Sequence, residues 1–123
     1  MTVILVGVGG FLGAVARFVV DGWVSRSTAG SFPFGTLLVN LSGSFALGIL
    51  FALAVEKAVL PSDIRAPVMI GFIGAYTTFS TLMLESWRLA EDGAMVAAAL
   101  NIGGSVVLGL AAVFAGILVG RLV

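Results

Sequence analysis

The sequence contains no cysteine and no histidine, and the two absences together remove several classes of function. Without cysteine there is no disulfide framework and no thiolate nucleophile or ligand. Without histidine the commonest transition-metal ligand and the commonest general base are missing. Charge is scarce as well. Six Lys and Arg balance six Asp and Glu, and charged residues make up 10% of the chain, against about 25% in a soluble domain. No basic block is present, so nothing points to nucleic acid or an acidic partner. There is no nucleophile–base pair and no phosphate-cradling loop, and the chain does not read as an enzyme.

What the chain has in abundance is apolar side chains, 60% of its 123 residues. A chain this short cannot bury so many in one soluble core, whereas a bilayer-crossing helix uses roughly 20 of them. Four apolar stretches predict an all-α membrane protein, one domain over residues 1–123, with transmembrane helices at about 3–24, 33–55, 66–86 and 94–120. The second is free of charge from Ser27 to Val55, the third from Ala66 to Leu84 and the fourth from Gly93 to Gly120; the first carries Arg17 and Asp21 late in its length. The first stretch lacks the basic leader of a signal peptide and is expected to be a retained helix. Connections at Ser25–Ser31, Glu56–Arg65 and Trp87–Asp92 are short, so sequential helices run antiparallel and both termini share one side.

Loop charges are nearly balanced. One side carries Lys57, Arg65 and Arg121, the other Arg26 and Arg88 with Arg17 near that end of its helix. The positive-inside rule works through asymmetry. Two readings follow: a single topology set by a weak bias, or insertion both ways, which permits a two-fold axis in the membrane plane. The pairs Gly9/Gly13 and Gly116/Gly120 let helix backbones approach closely. A four-helix bundle this small cannot enclose a water-filled path, so any pathway lies between subunits.

The segment from Gly71 to Glu85 places two glycines, three threonines and a serine in the middle of the third helix. One reading is a continuous helix whose hydroxyls bond back to carbonyls one turn earlier. The other is a helix broken near mid-membrane, which is tolerated only inside protein or beside a cavity and bares carbonyls for cations and amides for anions. On the second reading, carbonyls of Gly74 and Thr77 from two symmetry-related breaks can together hold a dehydrated Na+. Phe79 and Leu82 then share a helical face, with Ser80 and Thr81 pointing elsewhere; the positive edge of the Phe79 ring suits an anion, although packing alone also explains it. Asn40 is either interhelical glue or a donor through its amide. Asn101, Ser105, Gly109 and Gly116 form a stripe on the fourth helix that suits close packing or a polar path. Helices two to four carry no central Lys or Arg, so an anion path here relies on neutral donors and dipoles, as a small, strongly hydrated anion requires. Glu85 and Arg17 are expected as interfacial or vestibule residues.

These elements taken in order resemble the Fluc (CrcB) family of fluoride channels. The resemblance is carried by Gly9-Gly-Phe-Leu-Gly-Ala-Val-Ala-Arg17, Phe34-Gly-Thr-Leu-Leu-Val-Asn-Leu, Gly71-Phe-Ile-Gly-Ala-Tyr-Thr-Thr-Phe-Ser-Thr-Leu and Ser105, and spans nearly the whole chain. It implies an antiparallel, dual-topology dimer in the plasma membrane, with two pores and one structural, non-transported Na+ at its centre. Gly74 and Thr77 would give carbonyls to that ion, and Asn40, Phe79, Ser80, Thr81 and Ser105 would match pore-lining positions. Fluoride would leave the cell passively. Leu82 stands where the family often has a second Phe, and Asn101 where it often has Tyr; both are expected along the pore. Such departures fit one member of a pair of unlike subunits, so a non-conducting partner chain is the main alternative. A small multidrug transporter shares the length and helix count but uses a membrane-embedded Glu in its first helix, which this chain lacks.

Overall fold

The computed structural model describes residues 1–123 and contains helices and no strands. Four segments are long and apolar enough to cross a membrane: Thr2–Ser27, Phe34–Glu56, Ser62–Glu91 and Met95–Leu122. The first is one helix, α1 (Thr2–Ser27). The second is α2 (Phe34–Phe51), which ends in a widened π-helical turn, Ala52–Glu56. The third begins as α3 (Ser62–Arg65), passes through a π-helical stretch, Ala66–Ile73, ends its first half as α4 (Gly74–Tyr76), and restarts as α5 (Phe79–Glu91). The last is α6 (Met95–Leu122).

The third span is longer at both ends than its charge-free core. The helix starts N-terminal to Pro67, at Ser62 directly after Pro61, and Pro67 falls in the first turn of the π-helical stretch that follows. At the other end Leu89 is buried, which carries α5 through residues expected in a turn. Gly93, at φ 83°, then reverses the chain, a conformation that side chains with a Cβ resist.

Non-sequential helices run parallel and pack closest. The α1 backbone lies against the first half of the third span: a Cβ on Gly9 would overlap the Pro67 carbonyl, and one on Gly13 the Phe72 carbonyl. The α2 and α6 helices meet the same way, where a Cβ on Gly48 or Gly116 would enter the facing backbone. Without a hydrophobic drive between helices in lipid, such contact is what dispersion forces need. At the far end of that pair, the π turn brings Glu56 to Arg121, whose Nη2 and Nε donate to its two carboxylate oxygens at 2.6 and 2.8 Å. Only 19 of the 123 residues are buried in the single chain, and the outward-facing remainder is dominated by Val, Leu, Ile and Phe, as lipid or a second subunit requires.

Candidate functional site

The third span is interrupted at Thr77 and Thr78, both extended (ψ 158° and 119°). A break in this position leaves backbone groups that lipid cannot satisfy. The Thr78 N–H, which in an unbroken helix would reach the Gly74 carbonyl, instead donates to Asn40 Oδ1 at 2.8 Å. Asn40 Nδ2 in turn donates to the Thr78 carbonyl at 3.0 Å. One carboxamide thus pairs with both backbone groups of one residue, as a neighbouring strand would. Gly43, one turn further along α2, makes room for this approach: a Cβ there would overlap the Thr77 methyl group.

Both sides of the break are capped locally. Thr77 N and its hydroxyl both donate to the Ile73 carbonyl, at 3.0 and 3.1 Å. The Thr78 hydroxyl accepts from Thr81 N at 3.3 Å and donates to the Thr81 hydroxyl at 3.0 Å, forming the N-cap of α5; such caps are worth about 1 kcal/mol. The Thr77 carbonyl, freed from the helix, receives Arg17 Nη1 at 3.4 Å.

Two cavities flank the break. One, of about 230 Å³, is lined by Asn40, Gly43, Thr77, Thr78, Phe79 and Leu82 among others. The other, of about 260 Å³, lies between α1, α2 and α5 and includes Arg17, Asp21, Thr36, Thr78 and Thr81. Asn40, Phe79 and Leu82 therefore share the first cavity, and Thr81 faces the second. Phe79 is 74% exposed, while Leu82 is 6% exposed, so the ring is a projecting group and the leucine part of the wall. Ser80 is exposed on the outside of α5.

The α6 residues sit apart from these cavities. Asn101, 1% exposed, donates to the Ser86 hydroxyl at 2.9 Å, and that hydroxyl donates to the Leu82 carbonyl at 2.8 Å. Ser105 Oγ and Asn101 Oδ1 are buried without a partner in the chain. Gly74 faces outward, with only the Met69 carbonyl, at 3.9 Å, near a Cβ built there.

Several participants escaped the sequence reading. Thr36 lies one turn before Asn40 on α2, lines the second cavity, and donates to Glu85 Oε1 at 2.8 Å; the four-residue spacing was a usable signal. Thr78 is the hinge of the whole site, yet its sequence neighbours Thr77 and Thr81 carry the same side chain. Arg17 reaches the break itself, deeper than a residue near a helix end suggests.

Neutral donors, a freed carbonyl, an aromatic ring and one guanidinium are thus gathered around the interrupted helix of a multi-pass membrane protein. Residues 4–117 match the family described as CrcB-like protein, Camphor Resistance (CrcB), and the chain belongs to that family. It is 46% identical over 120 residues to the fluoride-specific ion channel FluC of Hahella chejuensis, covering 98% of this chain and 94% of that one. It is 42% identical to the protein of the same name from Magnetococcus marinus over the full length of both. A third relative of that name, from Methylococcus capsulatus, is 45% identical over 98% of this chain, which spans 53% of that relative's length.

Proposed function

We propose that this chain forms a passive, fluoride-selective channel in the plasma membrane and lowers the fluoride concentration inside the cell. The reading is supported by the names of its full-length relatives and by one observation above the rest: the Asn40–Thr78 pairing that holds a helix open between two cavities. A small, strongly hydrated anion must exchange its water for donors and still leave, so weak neutral donors and ring edges serve better than a fixed charge at close range. Asn40 retains one amide hydrogen beyond its bond to Thr78, Thr81 lines the second cavity, and Phe79, projecting at the first, would present its ring edge to the ion.

The active form in this proposal is an antiparallel pair of chains inserted both ways. The wide apolar surface and the outward-facing Gly74 suit a second copy at the break. The Gly74 and Thr77 carbonyls, both released from ordinary helical bonding, are hard oxygen donors of the kind that hold Na+ at unwound helices. They fit a structural Na+ shared between two copies, which would supply positive charge at the centre of the dimer. Arg17 touches the same Thr77 oxygen, so it would share that carbonyl with the ion.

Fluoride efflux from liposomes holding only the purified chain is the test. Efflux no faster than from protein-free liposomes overturns the proposal. Efflux that begins only when an unlike subunit is added transfers the activity to a mixed pair.

A further inference from the structure

The cavity between α1, α2 and α5 holds a carboxylate as well as a guanidinium. Arg17 and Asp21 are four residues apart, on one face of α1, and both line it. They are not paired: the chain's one ion pair joins Glu56 and Arg121. Asp21 is held in place nonetheless. Its carboxylate lies over Gly35 in the first turn of α2, where a Cβ would overlap it, and the Ser25 hydroxyl donates to Asp21 Oδ1 at 3.4 Å. The other nearby acid, Glu85, is not part of this cavity's lining and accepts from the Thr36 hydroxyl at 2.8 Å.

Depth orders the two charges. With α1 ending at Ser27 and a rise of about 1.5 Å per residue, Asp21 lies roughly 9 Å and Arg17 roughly 15 Å from that end. An anion entering along α1 meets the carboxylate before it meets the guanidinium.

We propose that Asp21 is a rate-limiting electrostatic gatepost: its fixed, unpaired carboxylate lowers anion occupancy at the mouth of this cavity and holds flux below what Arg17 and the break would otherwise support. The proposal rests on the fluoride-channel reading. A unit charge about 5 Å from a passing anion in watery surroundings changes its local concentration about fourfold, and the effect fades as added salt shortens the screening length.

The experiment measures initial fluoride efflux, at fluoride well below saturation, from liposomes holding the full chain as native, Asp21→Asn or Asp21→Glu, in about 10 mM and about 300 mM inert salt. Asp21→Asn should be about fourfold faster than native in low salt, with the gap closing in high salt, and Asp21→Glu should follow the native chain. Equal or slower flux from Asp21→Asn in low salt overturns the proposal, as does a gain that persists undiminished in high salt, which marks a packing effect. An Asp21→Asn chain that no longer elutes as the native assembly also overturns it, by assigning the carboxylate a structural role. A native chain that passes no fluoride defeats the channel reading itself; native flux with an indifferent Asp21→Asn defeats this inference alone.

Discussion

Asn40 and Thr78, 38 residues apart in sequence, are joined by two hydrogen bonds of 2.8 and 3.0 Å that take up both backbone groups of the threonine. The same side chain therefore bridges α2 to the broken helix, as interhelical glue does, and also lines the cavity beside it.

Asn40→Asp separates those roles in part. A carboxylate still accepts from the Thr78 N–H but has no donor for the Thr78 carbonyl, and it adds negative charge to the cavity. Losing that bond should cost about 1–3 kcal/mol, read as a lower melting temperature in detergent. The assembly should persist while fluoride flux is lost. Wild-type flux would show that the amide takes no part in conduction.

Gly74 and Gly116 make opposite predictions. A Cβ on Gly116 meets the Phe45 carbonyl within the chain, whereas one on Gly74 meets only the Met69 carbonyl, at an ordinary contact distance of 3.9 Å. Gly116→Val should damage the fold itself. Gly74→Val should leave the single chain intact and disrupt pairing of two copies, read by cross-linking or size-exclusion chromatography. If Na+ lies between the copies, replacing it with a large organic cation should reduce activity, with no Na+ moving alongside fluoride. An intact, fully active Gly74→Val dimer in Na+-free buffer would remove both the crossing and the ion.

The course of the chain was legible at very different depths. Four spans follow from uninterrupted apolar runs, because lipid leaves helices few alternatives. The disturbed third span was visible in its glycine and hydroxyl content. The position of its break was bracketed as well, since the one expected around Gly74 and Thr77 and before Phe79 falls at Thr77–Thr78. The pairing of Thr78 with Asn40 was not legible, because it is decided by a long-range partner on α2, and Thr77, Thr78 and Thr81 are alike in type. The link from Asn101 through Ser86 to the Leu82 carbonyl was hidden for the same reason: only packing of α6 on α5 makes those residues neighbours. The widened turn at Ala52–Glu56 has no signature in its sequence, Ala-Leu-Ala-Val-Glu.

Phe79 and Leu82 line one cavity, one projecting and one buried. Phe79→Ile keeps an apolar side chain but loses the ring edge, and flux should fall to background. Leu82→Phe should retain or raise flux, with up to about 1–3 kcal/mol of overpacking cost at this buried position. Robust flux from Phe79→Ile would overturn the aromatic role and leave the channel assignment intact.

Dual topology is open to a direct count. Single cysteines placed between Lys57 and Pro61 should react with an impermeant thiol reagent from both sides of the cell membrane, because the loop charges give little bias. Labelling from one side only would fix a single orientation and exclude an antiparallel homodimer.

The most direct measurement loads liposomes holding the purified native chain with equal fluoride and chloride and follows both ions with selective electrodes as they run down their gradients. Fluoride should leave rapidly while chloride stays at the level of protein-free liposomes. Fluoride release no faster than that background, or chloride release keeping pace with it, would contradict a fluoride-selective pathway built on this broken helix.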